Sequence, residues 1–284
     1  MKLDEARILL TGAAGGIGSA IARRLARSGA RLLLTDLRHE PLDRLAAELC
    51  AAGFATAAVA ADIGSESGRL EVLEAARMQQ INVLINAAGV NPFGMLAAQT
   101  SADVATTMLI NAIAPMALCQ VLLPVLAART PAHIVNVGST FGSIGYPGFA
   151  VYSASKFAVR GFSEALRREV ADAGIRVHYL APRATRTALA TDRIRAMNEE
   201  LHVGMDSPET VALAVAAILR DERRELLLGT PERLFAKINA LMPAIVDRVL
   251  RKQLPVIKRY AGASNGPAEP VSAPICLNAR GAMK

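Results

Sequence analysis

Short apolar runs recur along the first 230 positions, and between them lie stretches in which apolar residues return every three or four places. ARILLTG (6–12), ARLLLTDL (30–37), FATAAVAADI (54–63), INVLINAAG (81–89), HIVNVGS (133–139), IRVHYLAP (175–182) and ELLLGT (225–230) read as buried strands. SAIARRLARSG (19–29) and EPLDRLAAELCAAG (40–53) have the helical period; the second places Leu42, Leu45, Ala46 and Leu49 on one face. Gly29 and Gly53 stand where those helices should stop. Strand alternating with helix over this length predicts an α/β fold, a Rossmann-type doubly wound parallel sheet with helices on both faces.

Later positions change character. Ser207-Pro208-Glu209 is a helix start, with a capping Ser, Pro at the first helical position and an acidic first turn. The mixed segment 188–206 before it is placed to be a substrate-covering lid or an ordinary surface helix. Beyond the body domain (1–230), residues 231–260 form an amphipathic, basic extension. Leu234, Phe235, Ile238, Leu241 and Met242 make one apolar stripe, Pro243 interrupts, and Ile245, Val246, Val249, Leu250 and Leu254 make another. Arg233, Lys237, Arg248, Arg251, Lys252, Lys258 and Arg259 flank them. Such stripes serve for docking on the body or a partner subunit, or for peripheral contact with an anionic membrane. Residues 261–284 are rich in Pro, Ala, Ser and Gly without periodicity and are expected to be poorly ordered.

Composition narrows the function class. With 52% apolar residues the 284-residue chain can bury a large core, and with only 4% aromatics that core is aliphatic. Of the net charge of +7, nine Lys/Arg against three Asp/Glu between Glu232 and Lys284 leave only +1 for the rest, so no basic face on the body points to nucleic acid. Cys50, Cys119 and Cys276 are odd in number and far apart, and His39, His133, His178 and His202 lack ligand spacing; no metal site is expected. No secretory leader and no uninterrupted apolar run of about 18 residues is evident, which makes the cytoplasm the default, with peripheral membrane association through 231–260 the alternative.

The candidate chemistry clusters after the predicted strands. Thr11-Gly12-Ala13-Ala14-Gly15-Gly16-Ile17-Gly18 follows the first strand and opens the first helix. Unpaired N–H groups and the helix dipole there suit a pyrophosphate, and glycines allow its close approach. Asp36 ends the second strand, where a carboxylate can accept both hydroxyls of an adenosine ribose and repel a 2′-phosphate; a capping role is the plainer alternative, and neighbouring Arg38 leaves room for NADP(H). Asp62 ends the third strand, within reach of an adenine. Asn86, Ala88 and Gly89 end the fourth, in a run whose small residues let the backbone pass close to a cofactor. Tyr152 and Lys156 share a helix face, and an adjacent ammonium draws a phenol towards acid–base competence. Ser139 ends the fifth strand, placed to hydrogen-bond a substrate oxygen. Asn111 is a polar residue in an apolar helix, suited to hold a water leading from Lys156.

TGAAGGIG, NAAG, Asn111, Ser139 and Tyr152-Ser153-Ala154-Ser155-Lys156, in this order, resemble the short-chain dehydrogenase/reductase superfamily over about residues 5–230. The resemblance implies Tyr152 as catalytic acid/base, Lys156 binding the nicotinamide ribose and tuning Tyr152, Ser139 orienting substrate, and Asn111 completing a proton relay. It implies contact of Thr187 with the cofactor. Asp36, with Gly15 where NADP(H)-preferring members often carry a basic residue, favours NAD(H). One departure is Arg183, where members commonly have glycine; it either binds an acidic group or points into water. The expected activity is interconversion of a secondary alcohol and a ketone on a hydrophobic or acyl-type substrate, with 3-oxoacyl-thioester reduction or a cofactor-binding scaffold as alternatives. Phe93, Phe141, Tyr146 and the 188–206 segment are expected pocket walls, and homo-oligomers are common in the family.

Overall fold

The computed structural model describes residues 1–262. Its seven strands are β1 (Arg7–Thr11), β2 (Arg31–Asp36), β3 (Thr56–Ala60), β4 (Val83–Asn86), β5 (Ala132–Val137), β6 (Ile175–Ala181) and β7 (Glu225–Leu227). Each falls inside one of the apolar runs, except that β5 begins one residue earlier, at Ala132. They form one all-parallel sheet in the order β3-β2-β1-β4-β5-β6-β7. The helices are α1 (Gly16–Ala26), α2 (His39–Ala51), α3 (Glu66–Met78), α4 (Ser101–Met108), α5 (Ala114–Ala127), α6 (Ala150–Glu169), α7 (Asp192–Glu200), α8 (Pro208–Asp221), α9 (Thr230–Leu241) and α10 (Pro243–Gly262).

Alternation within each strand divides the core. Ile8, Leu10, Leu32, Leu34 and Val83 face one side, against Ile21 and Leu25 of α1, Leu42 and Leu45 of α2, and Val215 and Leu219 of α8. Leu9, Leu33, Leu84 and Ile134 face the other, against Val72 of α3, Leu118 and Leu122 of α5, and Leu166 of α6. Burial on both faces explains why these strands read as continuous apolar runs. Removing one such side chain, as in Leu9→Ala, is expected to cost about 2–5 kcal/mol. Gly29 and Gly53 end their helices at φ +87° and +82°, in the left-handed region, and Ser207 caps α8 by accepting from the N–H of Thr210.

The continuous helical run Ser101–Ala127 is long and apolar enough by composition to cross a membrane. Here it packs Ala114, Leu118, Cys119, Leu122 and Leu126 into the core as α5. Residues 231–260 form two helices, α9 and α10, broken at Met242, with Pro243 opening the second. α10 continues through Ala261, which is buried, and Gly262, so the helix outlasts the expected boundary by two residues. The rest of the expected tail, and Cys276, lie outside the described residues.

Because every strand is parallel, all carboxyl ends share one edge. The register runs Thr35, Thr11, Asn86 and Asn136 side by side across it. The sheet grows outward in opposite directions from β1 and β4, so a crevice opens between the loops that follow them.

Candidate active site

The turn after β1 is built for close approach. Gly12 has φ +65°, and a Cβ there would come within 2.6 Å of the Ala88 backbone, while one on Gly18 would lie 2.0 Å from the Gly12 carbonyl oxygen. Thr11 Oγ1 ties this turn to the next loop by accepting from the N–H groups of Ala87 and Ala88, at 3.1 and 3.2 Å. No side chain caps α1 at Gly15, so the first-turn N–H groups of Gly16, Ile17 and Gly18 point outward as donors. These orphan donors at a positive helix end, with no Cβ in front of them, fit a dinucleotide pyrophosphate. Thr187 closes the far side: a Cβ on Gly16 would meet its Cγ2 at 2.9 Å.

The carboxylate of Asp36 is partly engaged within the protein. Its Oδ2 accepts from the Ala14 N–H at 3.0 Å, and its Oδ1 accepts from the Arg38 backbone and Nε at 3.1 and 3.2 Å. Oδ1 thus has both of its acceptor directions filled, while Oδ2 pins the glycine turn and keeps one direction able to take a ribose hydroxyl. Asp62 accepts from the Gly64 N–H at 2.8 Å, shaping the turn before α3. Asn86 is buried and faces inward: its Nδ2 donates to Asn136 Oδ1 at 2.9 Å, and Asn136 in turn donates to Ser163 Oγ at 2.8 Å. This holds β4 to β5 and α6. Ala88 and Gly89 line the crevice; a Cβ on Gly89 would lie 3.2 Å from Asn111 Oδ1 and 3.7 Å from Lys156 Nζ.

The sequence places Ser139, Tyr152, Lys156 and Asn111 on three separate elements, and the fold brings them to one edge. Ser139 follows β5, with its Oγ accepting from the Phe141 N–H at 3.1 Å. Lys156 is 6% exposed; its Nζ donates to the Val137 carbonyl at 3.2 Å and sits 5.7 Å from the centre of the Tyr152 ring. Burial pulls the Lys156 ammonium down to about 8. The Tyr152 phenol is shifted up by burial, and a hydrogen bond with Ser139 opposes that shift only in part. The expected lowering by the neighbouring ammonium is not what sets the direction here: desolvation costs the phenolate more than the Ser139 hydrogen bond returns.

Asn111 lies in a π turn (Leu109–Ile113) between α4 and α5, the kind of widened turn that recurs at functional sites. Its side chain clamps Val90 in both directions, accepting from the N–H at 2.8 Å and donating to the carbonyl at 2.9 Å. It also donates to Ser155 Oγ at 3.0 Å, and Ser155 donates to the Tyr152 carbonyl at 2.7 Å. A small cavity lined by Thr11, Asn86, Asn111, Val137 and Lys156 has room for about one water. Asn86, whose Oδ1 has no hydrogen-bond partner among the described residues, belongs to one of its walls.

Aromatic rings close the site. Phe93 stacks on Phe149 and Phe141 on Tyr146, each pair 4.8 Å apart, while Phe141 and Phe149 present themselves edge-on to Tyr152 at 6.3 and 6.4 Å. Ala190, Ile194 and Met197 of the 188–206 segment join them, and so does Ile257 of α10. Part of that segment forms α7, and α10 packs across it: Arg259 Nη2 donates to Glu200 Oε1 at 2.6 Å and Tyr260 Oη to Glu200 Oε2 at 2.9 Å. Arg183 is neither free in water nor pointing at a pocket. It donates to Asp206 Oδ1 from Nε and Nη2 at 2.9 and 2.7 Å and pairs with Glu232 at 3.5 Å, clasping the end of the α7 segment to the start of α9.

Four residues near the site escaped the sequence reading. Ser155 lay in plain sight within YSASK. Phe149 precedes Tyr152 by one helical turn, a spacing that marks a shared face. Ile257 was readable only as one more apolar helix residue. Tyr179 sat inside a strand with nothing to mark it: its Oη donates to the Ser139 carbonyl at 3.2 Å, and a Cβ on Gly138 or Gly142 would fall 2.3–2.4 Å from its ring or hydroxyl.

Comparison with known proteins agrees with this geometry. A family model described as short chain dehydrogenase matches residues 6–198. The chain is 34% identical over 218 residues to oxidoreductase UcpA of Escherichia coli, covering 76% of this chain and 80% of that one. It is 34% identical over 192 residues to the bovine 3-oxoacyl-[acyl-carrier-protein] reductase, 67% and 78% of the two chains. The crystal structure of a Brucella melitensis 3-ketoacyl-(acyl-carrier-protein) reductase complexed with NADH superposes with a TM-score of 0.73 at 27% identity, over 80% of this chain and 97% of the other. A glycine turn abutting the NAAG loop, and a Tyr–Lys helix facing it, thus stand where the fold's crevice requires them, and the chain belongs to the short-chain dehydrogenase/reductase family of oxidoreductases.

Proposed function

We propose that the protein interconverts a ketone and a secondary alcohol on an apolar or acyl-type substrate, with NAD(H) held along the crevice. One observation carries the reading. Lys156 Nζ and the Asn111 amide converge on Gly89, in the loop that Thr11 ties to the glycine turn, with Ser139 and Tyr152 on the same edge. Gly12, Gly16, Ile17 and Gly18 would hold the pyrophosphate, Asp36 and Asp62 the adenosine end, and Ala88, Gly89, Tyr152, Lys156 and Thr187 the nicotinamide end. A bound nicotinamide dinucleotide supplies or takes up the hydride.

The protein's part is positioning and the proton. In reduction Ser139 Oγ donates a hydrogen bond to the carbonyl oxygen, and Tyr152 Oη delivers its proton as negative charge builds there. A phenol shifted up by burial is protonated at neutral pH, as a proton donor must be. Lys156, still largely an ammonium at neutral pH, stabilises the phenolate left behind, and the polar cavity beside Asn111 offers a route for proton return. The aromatic cage excludes water from the reacting atoms. NAD(H) over NADP(H) follows from the Asp36 carboxylate, and 3-oxoacyl thioesters are the favoured acyl substrates because the bovine and Brucella relatives are named as such reductases.

A homo-oligomer formed through the π turn before α5 and the outer face of α6 would cover Ile113 and Phe157, which are 52% and 43% exposed. A cytoplasmic location fits this reading. The test is nicotinamide absorbance followed with NADH and with NADPH at equal concentration against 3-oxoacyl thioesters, ring ketones and simple ketones. Faster NADH oxidation with a 3-oxoacyl thioester than with the other ketones is the expected result. Binding of NADH without oxidation across the whole panel would instead identify a cofactor-binding scaffold.

A further inference from the structure

The two helices beyond β7 have one face spent on the body and one that is not. Towards the body, Ala236, Val246, Leu250 and Ile257 are buried, and Tyr146 Oη donates to Gln253 Oε1 at 3.1 Å. Away from it, the turn between α9 and α10 carries Leu241, 81% exposed, with Met242 and Ile245 beside it and Leu234 two helical turns back. Around this apolar tip stand the exposed cations Arg233, Lys237, Arg248, Arg251 and Lys252, with Lys258 farther along α10. None of these six has an ion-pair partner among the described residues, and Asp247 is the only exposed carboxylate on the two helices.

We infer that this helical hairpin docks on an anionic lipid bilayer, its apolar turn entering the headgroup region and its cations facing the lipid phosphates. Charge and shape choose this occupant. A second copy of the chain, meeting the same patch across a two-fold axis, would set two groups of cations against each other. A protruding turn with large apolar side chains at its tip also offers no groove for a peptide. An apolar tip ringed by cations gains instead from both the acyl boundary and the negative surface potential. The docking does not depend on the proposed reaction.

Flotation of the full-length chain with phosphatidylglycerol–phosphatidylcholine vesicles, and with phosphatidylcholine alone, tests this at low and high salt. The wild type is expected to float with the anionic vesicles at low salt, and far less with neutral ones or at high salt. Neutralising Arg251→Gln and Lys252→Gln should weaken partitioning roughly fivefold for each cation. The triple change L241S/M242S/I245S should weaken it about tenfold. It should leave NADH binding and the thermal midpoint unchanged, because these side chains are exposed. Protein that stays unbound with anionic vesicles at low salt overturns the inference. So does a triple variant that floats like the wild type, or a wild-type dimer that the triple variant abolishes without any vesicle binding.

Discussion

The stability of this protein should fall steeply in mild acid because of two histidines far from the site. His133 on β5 and His178 on β6 are fully buried and stacked, with His133 Nδ1 and His178 Nε2 2.9 Å apart. His178 Nδ1 lies 2.7 Å from the Arg223 carbonyl, which can only accept, so that nitrogen carries the proton. His178 Nε2 then accepts from His133 Nδ1, which leaves His133 Nε2 bare and without a hydrogen-bond partner among the described residues. Burial holds His133 down to about 3, with His178 and Arg176 adding repulsion, and holds His178 down to about 4 against the upward pull of the Arg223 carbonyl. In the unfolded chain both titrate near 6.5. The native state therefore binds fewer protons than the unfolded state below that value. The stabilisation is complete above about pH 6.5 and is lost as pH falls towards the folded values, by up to about 1.4 kcal/mol per pH unit for each ring. Between pH 6.5 and 4.5 the pair together should cost about 4 kcal/mol, a large share of the roughly 5–15 kcal/mol that a domain has.

Urea unfolding of the wild type and of His133→Phe across that range isolates the effect, since carboxylates titrate alike in both. At neutral pH the variant should be weaker by about 1–3 kcal/mol, because His178 Nε2 loses its donor. Its slope against pH should be shallower by about one proton, so the two curves converge near pH 4.5. Parallel curves would mean that His133 binds protons alike in the folded and unfolded states and contributes nothing to the acid sensitivity.

Three further outcomes are expected. Tyr179→Phe removes the hydroxyl that holds the Ser139 carbonyl, and should lower kcat several-fold while leaving the NADH dissociation constant unchanged, as read by fluorescence titration. Asp36→Ser frees Arg38 from its carboxylate partner and should raise the NADPH-to-NADH ratio of kcat/KM by tenfold or more; an unchanged ratio would mean that Asp36 only pins the glycine turn. The ketone-reduction rate should fall as pH rises through about 8, where Lys156 loses its proton, and a rate flat to pH 10 would contradict a charged Lys156 in the step.

The sheet was legible because each strand is buried on both faces and so appears as an uninterrupted apolar run. The glycine turn, Ser139, Tyr152 and Lys156 were legible because each lies at a strand end or on a single helix face, where local spacing determines direction. What escaped depends on register between distant segments. The histidine pair looked scattered because its members are joined only by the pairing of β5 with β6. Arg183 was ambiguous because its partners, Asp206 and Glu232, come from two later segments. Asn111 read as mid-helix, and only the π turn shows why its side chain is free to reach Val90 and Ser155. The net direction of the Tyr152 shift needed the aromatic cage, assembled from four loops and helices that no local pattern relates.

A buried phenol that delivers a proton beside a dinucleotide seated on the glycine turn makes Tyr152→Phe the decisive variant. NADH affinity and steady-state reduction of a 3-oxoacyl thioester would be measured on the same preparation. Turnover reduced at least about a hundredfold, with NADH affinity within about twofold of wild type, is the result expected for loss of a general acid. Turnover retained in the variant would mean that the Tyr152 phenol is not the proton donor.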